Sequence, residues 1–235
     1  MVTDVPSSAA APKARAAARP RPDWLRIGVH LVGIWGLIYL GLLTARGELT
    51  VNPIQYIEQY LGRIAIYLLV LSLAVTPIVT LTGWRALPRH RRALGLYAFF
   101  YGLLHVLVFT VVDYGLDWRE IFRLTVEKPY IWVGLLAGLI LIALAVTSFK
   151  YWMKHLGKGW AYLHKAVYLA GGLAVLHYAW AVKGSLSSLR GDILRPVGIG
   201  LLVALLLILR IPPVRHWAAS LRYRWRRLRN PALVK

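Results

Sequence analysis

The stretch AYLHKAVYLAGGLAVLHYAWAV, residues Ala161 to Val182, decides how the rest of the chain is interpreted. It is long and apolar enough to cross a bilayer as a helix, yet it contains two histidines, His164 and His177. An ionisable side chain within a membrane helix is costly, so it indicates a functional site. Histidine is also the usual protein ligand of haem iron. The stretch therefore predicts a membrane helix that contributes to a cofactor site.

The composition of the whole chain agrees with a membrane protein. Of its 235 residues, 58% are hydrophobic, and the mean hydropathy is +0.57; the surface of a soluble domain needs more polar residues than this. The chain has no cysteine, which excludes disulfides, iron–sulfur ligation and thioether-linked haem. A haem would have to be held by coordination and packing alone, as in b-type cytochromes.

Six apolar segments of roughly membrane-spanning length define the predicted architecture. They are Ile27–Thr44, Ile64–Leu81, Ala93–Val112, Tyr130–Phe149, Ala161–Val182 and Leu194–Leu209. We predict an all-α integral membrane protein with a six-transmembrane-helix bundle over residues 27–209. A disordered basic tail (1–26) precedes the bundle and a basic cytoplasmic tail (210–235) follows it. The stretch NPIQYIEQYLG, residues 52–62, is predicted to form a short interfacial helix.

The net charge of +20 is distributed asymmetrically about these segments. One side holds 21 of the 29 Lys and Arg with 2 acids, and the other side holds 8 with 7 acids. By the positive-inside rule, we expect both termini to be cytoplasmic. The tail SLRYRWRRLRN, residues 220–230, interleaves Arg with aromatic residues. Directly after a membrane helix this pattern favours anionic lipid, and we expect no nucleic-acid partner.

Two histidines on different helices fall at the same predicted depth. His105 lies about 10 Å below the outer end of the third segment, and His177 about 8 Å below the outer end of the fifth, from the helical rise. Two imidazoles facing each other at one level can hold a six-coordinate haem iron. Nearby aromatic residues could wall the porphyrin: Phe99, Phe100, Tyr101, Phe109, Tyr178 and Trp180. The alternative is that both histidines only hydrogen-bond to neighbouring helices. We favour the haem, held between helices 3 and 5.

His164 has a less certain role. It lies 13 residues before His177, about 20 Å lower along the helix axis and near the cytoplasmic surface. It could ligate a second, inner haem with His30 as partner, bind a quinone or flavin headgroup, or simply hydrogen-bond. The histidines at positions 90, 155 and 216 lie in basic loops or the tail and need no functional explanation.

Several stretches together resemble one known family. They are GRIAIYLLVLSLAVTPI (62–78), RRALGLYAFFYGLLHVLVF (91–109), KPYIWVGLLAGLILIALAVTS (128–148) and LGKGWAYLHKAVYLAGGLAVLHYAWAVK (156–183). They are similar to the MsrQ family, the haem-binding membrane subunits of the bacterial periplasmic methionine-sulfoxide reductase system. That family belongs to the superfamily of ferric-reductase-like transmembrane domains. By motif, His105, His164 and His177 match the family's haem-associated histidines.

The resemblance implies a b-type haem protein without substrate chemistry of its own. It would pass electrons from the quinone pool, or from a reduced flavin on the cytoplasmic side, to a periplasmic molybdopterin-containing reductase (MsrP-like) that repairs oxidised envelope proteins. The family also implies FMN, to which no residue is assigned. One departure concerns the inner haem: two-haem members of the superfamily have a histidine 13 or 14 residues before the one matching His105, where this chain has Arg92 and Arg91.

Two other functions remain open from the sequence. One is a ferric-reductase-like subunit that serves another redox partner, and the other is a cofactor-free transporter or assembly factor. A self-contained ferric reductase would need a nucleotide-binding domain, and residues 210–235 contain no such motif. For the electron carrier, we expect the outer loop Asp113–Lys128 to dock the partner, with Asp117 and Glu120 contributing charge.

Overall fold

The computed structural model describes residues 23–182, 184–185 and 190–229. Most of the predicted N-terminal tail and the last residues of the C-terminal tail lie outside this part of the chain. The helices are α1 (Trp24–Ala45), α2 (Pro53–Thr82), α3 (Arg91–Leu107), α4 (Trp118–Glu127), α5 (Pro129–Val146), α6 (Lys150–Leu156), α7 (Lys158–Leu163), α8 (Ala166–Ala181), α9 (Leu194–Ile208) and α10 (Pro212–Arg229). A 3₁₀ turn (Leu87–His90) precedes α3 and a π-helical turn (Val108–Asp113) follows it. Two-residue strands, β1 (Gly184–Ser185) and β2 (Arg190–Gly191), pair antiparallel.

The prediction of a helical, multi-pass membrane protein is confirmed. Four helices are each long and apolar enough to cross a membrane: α1, α2, α5 and the continuous run Leu87–Asp113 that contains α3. The predicted fifth segment is interrupted at His164 and Lys165, which leaves α8 with 16 residues. The sixth is α9, with 15 residues, and α10 follows it at a bend of 85°. Six spans and the side on which the termini lie stay predictions.

The expectation of a separate interfacial helix at residues 52–62 is wrong. These residues form the first turns of α2, a single helix of 30 residues. The Asn52 side chain caps its start by accepting from the Gln55 backbone N–H, and Pro53 occupies the first helical position, where its missing N–H costs nothing. The helix ends at Gly83, whose φ of 77° suits only glycine well. Glu58 and Gly62 therefore lie on a rigid membrane helix.

Helix α2 lies at the centre of the fold. Its residues Leu68, Leu69 and Leu73 are at most 3% exposed and pack in two clusters, one towards α3 and one towards α8 and α9. The most extensive helix pairs are α2 with α3 and α5 with α8. The candidate site described below is built from these two pairs.

Helix α1 is attached to α3 by tyrosines that pack against its glycines. Tyr101 is fully buried, and its hydroxyl donates to the Gly33 carbonyl at 2.8 Å while accepting from the Leu37 N–H at 3.0 Å. A Cβ on Gly33 would lie 2.5 Å from the Tyr97 ring, and one on Gly36 would lie 2.7 Å from the Tyr101 hydroxyl. The glycines therefore allow the close approach that these hydrogen bonds require.

An arginine compensates for the proline within α2. Pro77 has no N–H, so it cannot donate to the carbonyl of Leu73 one turn earlier. Nη2 of Arg210, in the link between α9 and α10, donates to that carbonyl instead. Nη1 of Arg210 donates to the Tyr168 hydroxyl at 2.7 Å, and the guanidinium lies 4.9 Å from the Tyr168 ring centroid. Neighbouring segments commonly satisfy carbonyls freed by proline in membrane helices.

Candidate functional site

The structure places His105 and His177 side by side. Their ring centroids are 6.1 Å apart, and the ring planes are inclined at 75° to each other. His105 lies near the end of α3, directly before the π-helical turn, and His177 lies in the last part of α8. Both rings are partly buried. The two histidines, expected at equal depth from helical rise, thus lie with their rings next to each other.

Each of the two rings is held by a backbone carbonyl. Nδ1 of His105 lies 2.9 Å from the Glu58 carbonyl oxygen in α2, and Nδ1 of His177 lies 2.8 Å from the Tyr130 carbonyl oxygen in α5. A carbonyl can only accept, so Nδ1 carries the proton and donates. In a neutral imidazole this leaves Nε2 unprotonated, with a lone pair available for a metal. Both histidines are therefore held in the tautomer that suits metal ligation through Nε2.

A glycine one turn after each carbonyl makes room for the ring. An added Cβ on Gly62 would lie 3.3 Å from Nδ1 of His105. An added Cβ on Gly134 would lie 2.5 Å from Nδ1 of His177, closer than side chains can pack. Each histidine thus sits in what we call a cradle, meaning a backbone carbonyl and the glycine four residues after it.

This arrangement fits a metal held between two imidazoles. With metal–nitrogen bonds of about 2 Å, two ligating nitrogens on opposite sides of one ion are about 4 Å apart, and their ring centres roughly 6 Å apart. The observed centroid separation is 6.1 Å. The two donors are neutral nitrogen ligands of the type that haem iron takes axially. Both the spacing and the donor chemistry suit a six-coordinate haem iron.

Not every aromatic residue expected around a porphyrin is free for that role. The buried Tyr101 is engaged with α1 instead, through the two hydrogen bonds described above. Phe109, in the π-helical turn, packs against Tyr114 with ring centroids 4.8 Å apart. Burial raises the pKa of the Tyr114 hydroxyl, and the nearby carboxylates of Asp113 and Glu58 raise it further. Tyr114 therefore stays protonated beside the outer end of the site.

His164 lies apart from this pair, at the junction between α7 and α8. Its ring stacks on Trp160 with centroids 4.0 Å apart, and its Nδ1 lies 3.1 Å from the Trp160 carbonyl oxygen. Its Nε2 is buried and has no hydrogen-bond partner among the described residues. The helix breaks at His164 itself and runs unbroken through Gly171.

The other candidate partner for an inner cofactor, His30, is engaged elsewhere. Its Nδ1 lies 2.9 Å from the Tyr97 hydroxyl, and its ring meets Tyr97 edge-on. The Arg91 guanidinium lies within electrostatic range of both His164 and Arg210. Nε of Arg210 is, with Nε2 of His164, one of two buried polar side-chain atoms in the described chain that lack a hydrogen-bond partner.

The outer loop expected to dock a partner contains an amphipathic helix, α4. Asp117 caps it by accepting from the backbone N–H of Arg119 and Glu120. Leu124 and Thr125 face inward. One exposed side of α4 presents an apolar stripe at a spacing of four residues, Trp118, Phe122 and Val126, which are 64%, 66% and 59% exposed. Glu120 pairs with Arg123, which raises the pKa of the Arg123 guanidinium.

Sequence reasoning missed both cradles. A single glycine such as Gly134 is common in membrane helices, and the Glu58 and Tyr130 carbonyls carry no signal in side-chain identity. The spacing of residues nevertheless held a signal, because Gly62 precedes His105 by the same number of residues as Gly134 precedes His177.

Comparison with known proteins gives a consistent result. The family "Ferric reductase like transmembrane component" matches residues 61–175. Among similar curated proteins, the one from Herminiimonas arsenicoxydans is 38% identical over 196 residues, 82% of this chain and 88% of the relative. The one from Bordetella parapertussis is 39% identical over 198 residues, 84% of this chain and 91% of the relative. The one from Pectobacterium atrosepticum is 36% identical over 194 residues, 82% and 94% respectively. All three are named protein-methionine-sulfoxide reductase heme-binding subunit MsrQ.

Proposed function

The chain belongs to the MsrQ family of ferric-reductase-like membrane proteins, and from that premise we propose that it is a b-type haem subunit carrying electrons across a bacterial inner membrane. The electrons serve a periplasmic molybdopterin-dependent methionine sulfoxide reductase, MsrP-like, which repairs oxidised envelope proteins. The chain itself is an electron-transfer subunit of this oxidoreductase and has no substrate chemistry.

The observation that carries this proposal is the pairing of His105 and His177. The two rings come from helices in different helix pairs, and their spacing suits one iron between them. Each Nδ1–H is fixed on a carbonyl, so each Nε2 is presented as a ligand. When bound, haem supplies reversible one-electron transfer at this point. Because the chain lacks cysteine, its residues hold the haem by coordination and packing, which defines a b-type site.

The inner end of the bundle accepts the electrons in this scheme. His164 presents a buried Nε2 without a partner among the described residues, within electrostatic range of the Arg91 guanidinium. Its Nδ1 lies against the Trp160 carbonyl, so Nε2 has a lone pair that can accept a hydrogen bond from a quinol or a flavin (FMN) or ligate a second haem. The positive charge of Arg91 favours an anionic headgroup. His164 therefore shapes the electron-accepting site, fed by the quinone pool or a cytoplasmic flavin reductase.

The outer end delivers the electrons. Helix α4, within the predicted docking loop Asp113–Lys128, presents an apolar stripe beside the charged residues Glu120 and Arg123. A small surface of mixed polarity suits a transient electron-transfer contact. At the other side, α10 is a helix with many arginines and follows a membrane helix, which suits binding to anionic lipid. Six spans with both termini cytoplasmic complete the arrangement.

The test is the visible and electron paramagnetic resonance (EPR) spectrum of the purified protein and its histidine variants. We expect the unmodified protein to contain low-spin haem, and His105→Ala or His177→Ala to lose the haem or convert it to a high-spin form, because one axial ligand is missing. His155→Ala, in α6, is the matched control and should leave the spectrum unchanged.

Two results would contradict the proposal. A colourless protein, purified after expression with sufficient haem, would instead support the cofactor-free transporter or assembly factor. Full low-spin haem in both His105→Ala and His177→Ala would move the ligand site elsewhere. If haem is present but electrons do not reach the periplasmic reductase, the chain serves another redox partner.

A further inference from the structure

The two cradles repeat one another along the sequence. In the first, the Glu58 carbonyl and Gly62 hold His105, and in the second, the Tyr130 carbonyl and Gly134 hold His177. Each carbonyl precedes its histidine by 47 residues, and every element of the second cradle lies 72 positions after its counterpart in the first. The same local geometry thus occurs in α2 with α3 and in α5 with α8.

Glycine makes room at both positions because the ring lies against the helix backbone. An α-helical carbonyl is surrounded by the side chains of the following turn, and the residue four positions later is its nearest neighbour. A Cβ on Gly134 would lie 2.5 Å from Nδ1, 2.7 Å from Cε1 and 3.1 Å from Cγ of His177. For Gly62 the corresponding distances to His105 are 3.3, 3.4 and 3.7 Å. The second cradle is therefore the tighter one.

We propose that Gly62 and Gly134 are positioning residues that set the orientation of the two axial histidine rings and thereby keep their planes nearly perpendicular. This inference rests on the proposed haem-binding function and deepens it. Neither glycine touches the iron. Each acts through its histidine, by leaving the space in which the ring reaches the carbonyl and is prevented from rotating.

Ring orientation has a spectroscopic signature that helix packing alone does not have. When two axial imidazole planes are parallel, one iron d orbital is stabilised over its neighbour, and low-spin ferric haem gives a rhombic EPR spectrum. When the planes are nearly perpendicular, the two orbitals stay close in energy, and the spectrum is a strongly anisotropic signal dominated by one low-field feature. The observed angle of 75° predicts the anisotropic type for this protein.

The first experiment compares alanine variants of three glycines in the haem-loaded protein. Gly134→Ala should lose most of the low-spin haem, since the His177 ring must move away from the Tyr130 carbonyl. Gly62→Ala should keep its haem but shift the EPR signal towards the rhombic type, because the ring needs to give way by only a few tenths of an ångström. Gly138→Ala is the matched control on the same helix, since an added Cβ there meets nothing within 4 Å.

The second experiment removes the histidine that the glycine serves. In His177→Gly the ring that an added Cβ on Gly134 would meet is absent. In this background, without added imidazole, Gly134→Ala should cause no further loss of haem and no change in the free energy of unfolding. This comparison also covers the case in which Gly134→Ala alone fails to fold, because the clash is absent once the ring is removed.

The outcomes separate this inference from the function on which it rests. If the unmodified protein has no low-spin haem, the proposed function fails. If the unmodified protein has the anisotropic signal but Gly134→Ala and Gly62→Ala retain it unchanged, the function stands and the positioning role is wrong. A defect of Gly134→Ala that persists in full in the His177→Gly background without imidazole would also overturn that role, because the glycine would then act on the helix bundle and not on the ring.

Discussion

The contact between Arg210 and the proline-freed carbonyl of Leu73 permits a quantitative prediction. Leu73 is fully buried, and Pro77 cannot supply the N–H that its carbonyl would accept. A buried polar group without a partner costs about 1–3 kcal/mol. Arg210→Met removes the donor to Leu73 and, with it, the hydrogen bond to the Tyr168 hydroxyl, which contributes roughly 1 kcal/mol more. We therefore expect Arg210→Met to lower the free energy of unfolding by roughly 2–4 kcal/mol.

A double-mutant cycle isolates the carbonyl contribution. Pro77→Ala restores an N–H that can reach the Leu73 carbonyl within the helix, so Arg210→Met should cost only about 1 kcal/mol in that background, the share of the Tyr168 bond. The assay is reversible unfolding of the detergent-solubilised protein in a denaturing-detergent titration, with Tyr168→Phe as the control that removes the second bond alone. Additivity of Pro77→Ala and Arg210→Met within about 0.5 kcal/mol would refute the reasoning.

Three further predictions concern other parts of the molecule. Asp117→Asn with Glu120→Gln keeps the helix cap, because Asn caps as well as Asp does, and should slow electron delivery to the periplasmic reductase without changing the haem spectrum; an unchanged rate in a stopped-flow assay would place docking elsewhere. His164→Ala should preserve the outer haem's spectrum while slowing its reduction by quinol or reduced flavin; normal reduction from both donors would make the residue structural, and loss of a whole haem would make it an iron ligand. Tyr101→Phe should lower the free energy of unfolding by about 1–3 kcal/mol, because the Gly33 carbonyl and the Leu37 N–H both lose this partner; no change in the same denaturing-detergent titration would show that the two groups close on each other.

The pairing of His105 and His177 could be predicted because it depends only on helix length and direction. Helical rise alone placed both residues at one depth, and their ring centroids lie 6.1 Å apart. Helical rise does not predict how each helix is rotated about its own axis. This rotation determines that Nδ1 of each ring meets a backbone carbonyl, and that His30 contacts Tyr97.

Long-range polar partners were also beyond the sequence. Helix α2 continues past Pro77 to Thr82, and Arg210, 137 residues after Leu73, supplies the donor that the proline lacks. The helix expected at residues 52–62 does not form as a separate element for a local reason. Pro53 stands at the first helical position, where proline is tolerated. No later residue up to Gly62 ends the helix, so α2 continues into the apolar segment.

The division of the two cradles between α2–α3 and α5–α8 has a consequence for biogenesis. The chain is synthesised from its N-terminus, so α2 and α3 enter the membrane before α5 and α8. Once His105 has been made, His177 follows only 72 residues later in the sequence. If His105 and His177 hold the haem as proposed, an incoming porphyrin meets only one of its two ligands until α8 has been inserted and has packed on α5. Cofactor binding would then be a late event of maturation that links two halves of the chain inserted one after the other.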